Sequence, residues 1–184
     1  VFSRKKLIVI CGMPGAGKGV ASEPGRKQGL PILVFGDVVR EETEKRGLDP
    51  TPQNTGDVML KIRKEEGPAV IAKRLCAKID QINADLIILE GARSTEEVDQ
   101  LRLHFEVTTV GVHAAPKTRF ERLLKRGRSD DPRDWNEFAE RDNRELAVGI
   151  GHVLALADQM LVNEGTISEL QTAFARVLEK IRST

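Results

Sequence analysis

Residues 12–18 read Gly12-Met13-Pro14-Gly15-Ala16-Gly17-Lys18, and no other stretch limits the possible fold as much. The run satisfies G-x-x-x-x-G-K. It follows an apolar segment, Leu7 to Ile10, that reads as a strand, and it precedes a helical pattern. Strand, glycine turn and helix in that order build a cradle for phosphate. Glycine reaches backbone conformations closed to residues with a β-carbon, so successive N–H groups can point inward at phosphate oxygens. The helix start adds its dipole, and Lys18 adds a mobile positive charge. Loops of this kind usually continue with Ser or Thr, whose hydroxyl reaches Mg²⁺. Here Gly19 and Val20 follow, and Ser22 is the next hydroxyl. Magnesium must then be held by the phosphates, by water and by carboxylates elsewhere.

Short apolar runs at 6–11, 31–35, 85–90, 107–113 and 158–162 alternate with helical stretches. The helical stretches are 17–28, 37–46, 53–64, 67–82, 95–103, 117–126, 134–148 and 166–182. The strand runs are nearly continuous rather than alternating, the pattern of parallel strands covered on both faces. The expectation is a doubly wound α/β fold, with five parallel strands and helices on both faces. At 184 residues the chain fits one domain. Pro24 and Gly25 inside the first helix predict a kink or break. Pro50, Pro52, Gly56 and Pro68 mark 48–68 as a small helical excursion.

The formal net charge of +1 supplies no bulk field for nucleic acid or an anionic membrane, so any basic site is local. No apolar run approaches the ~20 residues that a membrane-spanning helix needs. Arg4, Lys5 and Lys6 precede an apolar run, but that run is short for a signal peptide and leads straight into the glycine loop. Cys11 and Cys76 form no CxxC or Cys/His cluster; they read as small core residues of a reducing, cytoplasmic protein. His113 reads as a packed strand-end residue. Trp135 reads as a cap on the apolar face of its helix.

The loop Gly12 to Gly19, G-M-P-G-A-G-K-G, resembles that of adenylate kinases and related nucleoside monophosphate kinases. Those enzymes place Thr where Val20 stands. Gly36-Asp37-Val38-Val39-Arg40 is similar to their G-D-x-x-R, which opens the acceptor region. The resemblance gives Arg40 a grip on the acceptor phosphate and puts Asp37 near the water shell of the metal. Leu86-Ile87-Ile88-Leu89-Glu90-Gly91-Ala92-Arg93 looks like their strand ending in D-G-x-x-R. Glu90 would orient magnesium-bound water, and Arg93 would be a second acceptor contact, displaced by one residue. Arg119, Arg122, Arg126 and Arg128 precede Ser129-Asp130-Asp131-Pro132, and Arg133, Arg141 and Arg144 follow. That cluster resembles a short lid, whose arginines close over the triphosphate. The segment Ala157 to Thr166 looks more like dephospho-coenzyme A kinases, which implies that Asn163 to Thr166, Gly165 included, flank the base. Thr166 also fits a helix N-cap.

The resemblance extends over nearly the whole chain, and its nearest form is an archaeal group of adenylate-kinase-like and dephospho-CoA-kinase-like proteins. It implies one kinase domain over 1–184, with an acceptor-binding helical insert at about 37–82 and a lid at about 126–135. ATP and Mg²⁺ would be the cofactors. Gly12, Met13, Pro14, Gly15, Ala16, Gly17, Lys18, Gly19 and Val20 would hold the triphosphate, and Lys18, Asp37, Arg126, Arg128 and Arg141 would carry catalysis. The expected partner is a small nucleotide-like acceptor, with no membrane and no nucleic acid, on a monomer or homodimer. Three functions stay open: transfer to a nucleotide phosphate, transfer to a hydroxyl with Asp37 as base, and nucleotide-dependent regulation or assembly with weak ATPase activity.

Overall fold

The computed structural model describes residues 4–128 and 131–183. Five strands, β1 (Lys6–Cys11), β2 (Ile32–Val34), β3 (Leu86–Glu90), β4 (Glu106–His113) and β5 (Gln159–Val162), form one sheet in the order β2-β3-β1-β4-β5. Every neighbouring pair is parallel, and β1 sits centrally, with Ile8 opposite Ile88 on one side and Thr108 on the other. This is the five-stranded parallel sheet expected from the apolar runs.

Alternate residues of the central strands feed two separate layers. Leu7, Val9, Cys11, Ile87 and Leu89 face one core; Ile8, Ile10, Ile88, Val110 and Val112 face the other. Burial on both faces is why these strands read as unbroken apolar runs. The first layer is covered by α3 (Phe35–Lys45), α4 (Pro52–Glu66), α5 (Val70–Asp80), α6 (Thr95–Arg102) and α9 (Ile150–Ala155). The second is covered by α1 (Lys18–Ala21), α2 (Glu23–Lys27) and α10 (Ile167–Arg182). The remaining helices, α7 (Pro116–Arg126) and α8 (Trp135–Val148), lie between β4 and β5 in the chain.

Three local features depart from the sequence expectation or sharpen it. The first helix breaks at Ser22 into α1 and α2, and Pro24 falls in the first turn of α2, where its missing N–H costs nothing. Gly25 has a packing reason: a β-carbon there would collide with Ile88 Cδ1. The 48–68 excursion is a full helix, α4, capped by Thr51, whose hydroxyl accepts from Asn54 N at 3.2 Å. Val58, Met59 and Ile62 of α4 join the same core as β1 and β3, so the segment is built into the domain. α9 has no counterpart among the expected elements. Gly149, at φ 117°, ends α8 and lets the chain restart as α9. Thr166 does cap α10, in a reciprocal capping box with Glu169.

Candidate phosphate and acceptor site

The central strands all end at one edge of the sheet, and the glycine loop, Glu90, Arg93 and Asn163 collect there. Ligands of open α/β sheets bind at this carboxyl edge, where the strand order reverses; here the reversal is at β1, flanked by β3 and β4.

The loop from Gly12 to Gly17 leaves β1 and enters α1. Gly15 and Gly17 have φ of 80° and 100°, the left-handed region that favours glycine. A β-carbon on Gly17 would also run into the side-chain amide of Asn163. Lys18 folds back over the loop, its Nζ donating to Gly12 O at 2.7 Å and Met13 O at 3.4 Å. Burial lowers the Lys18 pKa to about 8, with Glu145 opposing that fall, Arg93 adding to it, and Glu90 and Cys11 opposing it. Lys18 is thus a partly desolvated cation held against the loop carbonyls, and a phosphate group is a chemical partner that would compensate its burial. Met13 and Ala16 are buried against the fold, Pro14 is held through its carbonyl, and Gly19 is exposed beside Val20.

Two polar residues fix the loop from outside. Arg119 is buried, with 4% of its side chain exposed, and donates to Ala114 O at 3.1 Å and Pro14 O at 3.1 Å. Asp142 of α8 grips the same guanidinium through two bonds, at 2.8 and 2.5 Å. Asn163, at the end of β5, donates through Nδ2 to Ala16 O at 2.8 Å, while its own carbonyl accepts from Arg122 at 2.9 Å. Grouping Arg119 and Arg122 with the lid arginines is therefore corrected: both tie α7 to the sheet edge, and Arg119 is inaccessible to a nucleotide. Gly165 is exposed in the turn before α10.

Glu90 ends β3 with one oxygen 3.8 Å from the position a Gly19 β-carbon would take. Ser22 donates its hydroxyl to the other oxygen. Ser22 is fully buried, so this hydroxyl orients Glu90 from behind. The set suits magnesium, which takes oxygen ligands and keeps several waters rather than a closed protein cage. Among the described residues, no group of three or more His, Cys, Asp or Glu is arranged to hold a metal by itself. Of the two carboxylates expected near the metal, Glu90 faces the loop. Asp37 instead pairs with Arg40 across one turn of α3, both side chains 51% exposed.

Arg93 is held at three points. Its backbone N–H donates to Glu97 Oε2 at 2.7 Å, its Nη1 lies 3.1 Å from Met59 Sδ, and its Nε lies 3.1 Å from Glu145 Oε2. Glu97 is fully buried and also takes Arg63 at 2.5 Å; burial raises its pKa against the pull of Arg63. Glu145, on α8, has no counterpart in the sequence reading. Its one local signal is the spacing: it stands four residues after Arg141, on the same face of a helix.

In the lid region, Ser129 and Asp130 lie outside the described residues. Asp131 accepts from Arg126 Nε at 2.9 Å and from Arg128 N at 2.9 Å, and Arg141 Nη1 lies 3.6 Å from it. Desolvation acts upward on its pKa, but those partners bring the net shift below the usual carboxylate value. Arg126 and Arg141 thus meet at one carboxylate, while Arg128 and Arg133 are exposed. Trp135 packs edge-on to Phe120, with ring centroids 5.3 Å apart, and lies 5.1 Å from Phe138; half of it stays exposed. A separate cavity of about 270 Å³, lined by Glu106, Thr108, Asp158 and Lys180, opens at the opposite end of the sheet and takes no part in this site.

No helix of the described residues is long and apolar enough to cross a membrane. The model of the AAA domain family matches residues 11–138, from the end of β1 into α8. A UPF0200 protein of Pyrococcus horikoshii is 43% identical over 182 residues, covering 96% of this chain and 98% of its own length. One from Methanocaldococcus jannaschii is 46% identical over 177 residues, covering 95% and 90%. Among solved structures, TT1252 from Thermus thermophilus superposes with a TM-score of 0.66 at 23% identity, covering 97% of this chain and 98% of that one. Shikimate kinase from Aquifex aeolicus follows at 0.56 and 17%, covering 94% and 96%. The fold is that of the P-loop kinases, and the chain belongs to the AAA domain family over residues 11–138 and to the UPF0200 proteins over nearly its whole length.

Proposed function

We propose that this protein is an ATP-dependent phosphotransferase that passes the γ-phosphate to a small nucleotide-like acceptor. The observation that carries the reading is Lys18, folded back over a glycine loop at the carboxyl edge of the sheet with its Nζ on Gly12 O and Met13 O, and Glu90 facing the same loop at Gly19. In this reading the loop backbone of residues 12–20, whose N–H groups come from every residue but Pro14, holds the triphosphate together with Lys18. Arg126, Arg128 and Arg133, in a lid at about 126–135, and Arg141 of α8 neutralise charge on the transferred group. Arg40 and Arg93 hold the acceptor within the helices of the 37–82 segment. Asn163 and Gly165 flank the base, Asn163 through the loop that it braces. Asp37 and Glu90 orient magnesium-bound water; the metal, when bound, neutralises charge on the β- and γ-phosphates. The bond from the γ-phosphorus to its bridging oxygen breaks, and a bond to an acceptor oxygen forms. A phosphate acceptor is already ionised and needs no base. The whole unit acts as a single domain.

The test is a product screen with Mg-ATP, a panel of nucleoside monophosphates and dephospho-CoA, read by chromatography and mass. A new nucleoside diphosphate establishes the reading and names the acceptor. Coenzyme A as product replaces it with transfer to a hydroxyl, with Asp37 as base. Tight ATP binding without any product sinks both for this panel and leaves nucleotide-dependent regulation or assembly.

A further inference from the structure

Glu145 reaches the phosphate site from α8, yet nothing in the glycine loop motif calls for a carboxylate there. Its side chain is 14% exposed, and its Oε2 is buried with no hydrogen-bond partner among the described residues, although Arg93 Nε lies 3.1 Å away. Its negative charge also acts on Lys18, where it is the strongest of the nearby charges. A carboxylate is thus set against Arg93, a cation that a bound polyphosphate would use, without the hydrogen bonds that would make it a settled structural pair. The helix that carries it is fixed: Asp142, three residues earlier, is locked to Arg119 and through it to Pro14 of the loop. Glu145 is therefore held at the site by α8 rather than drawn there by a good bond of its own.

We infer that Glu145 is a competitor carboxylate: it pairs with Arg93, and it sets how much negative charge a ligand must bring to displace it. The inference rests on the reading that the loop takes the phosphates of the donor. It makes Glu145 a determinant of anion selectivity, favouring ligands with several phosphates over single small anions. Like charges near one site repel, and the effect is strong where water is excluded. Removing the negative charge should thus raise affinity for polyphosphate, although it also removes an ion pair.

The probe is inorganic tripolyphosphate, titrated by calorimetry into the full chain and into Glu145→Gln and Glu145→Asp variants, with thermal melting in parallel. The Gln variant is expected to bind about tenfold more tightly, which is ~1.4 kcal/mol, while melting no higher than the parent. The Asp variant, which keeps the charge, is expected to bind like the parent. A merely structural residue would lower affinity and melting temperature together. Unchanged or weaker binding by the Gln variant, with binding by the parent intact, overturns this inference alone. No tripolyphosphate binding by either protein overturns it together with the donor reading. Should the Gln variant fail to fold, Glu145→Leu, of similar volume and no charge, reads the same quantity against the same expectation.

Discussion

The side-chain amide of Asn163 donates to the carbonyl of Ala16 at 2.8 Å, so the end of β5 braces the glycine loop immediately beside Gly17. The bond joins residues 147 positions apart, and the carbonyl of Asn163 is in turn held by Arg122. Replacing Asn163 with Ala leaves a buried carbonyl without that donor, a loss of about 1–3 kcal/mol. The expected result is a lower urea midpoint and weaker ATP binding, the latter because the loop amides lose their fixed aim. An Asn163→Ala protein as stable as the parent would show that the brace is dispensable.

The Arg119–Asp142 pair makes a stronger claim. Both groups are largely buried, and Arg119 links Pro14 O, Ala114 O and α8 while lying over the ring of Phe138, 5.0 Å from its centroid. Removing one partner strands the other charge, at a cost of about 3–5 kcal/mol. Asp142→Ala should therefore destabilise far more than Arg128→Ala, whose side chain is exposed. Arg119→Lys should not restore stability, because an ammonium cannot fork onto a carboxylate and reach two carbonyls. Equilibrium denaturation of the three variants ranks them directly.

How far the sequence reveals this site depends on how local the signal is. The loop, β1 and the strand ending at Glu90 were legible because glycine spacing and apolar runs are short-range patterns. Arg119, Arg122 and Arg126 look alike in the sequence; only burial separates a brace from a surface cation. Glu145 and Asn163 act on residues far away in the chain, so no window of sequence contains both partners. α9 was missed for another reason: six residues give fewer than two turns, too few for a 3.6-residue period to show.

Lys18 makes the site sensitive to pH. Burial lowers its pKa from 10.5 to about 8, so the folded protein releases this proton before the unfolded chain does. Between those values the unfolded state binds more protons, and Lys18 contributes stability that rises with pH across the window. In the proposed function, phosphate binding has the opposite slope, because there it uses the charged amine. Affinity for tripolyphosphate should hold up to about pH 8 and then fall, approaching tenfold per pH unit. A Lys18→Met variant should bind weakly at every pH and lose that slope. A flat profile in the parent up to pH 9.5 would contradict the assignment.

Glu90 and Ser22 yield the last prediction. The loop has no hydroxyl at position 19 or 20, yet Ser22 reaches Glu90 from the buried side and leaves the other carboxylate oxygen facing Gly19. If that oxygen orders magnesium-bound water, Glu90→Gln weakens the carboxylate itself, and Ser22→Ala only lets it swing. The magnesium concentration that half-saturates ATP binding should then rise most for Glu90→Gln, with Ser22→Ala between it and the parent. Binding of metal-free tripolyphosphate should not weaken in Glu90→Gln, because a negative charge near the loop has been removed. The two titrations therefore move in different directions for a metal-ordering carboxylate. They would fall together if Glu90 served only to support the loop, and that outcome would remove it from the metal site.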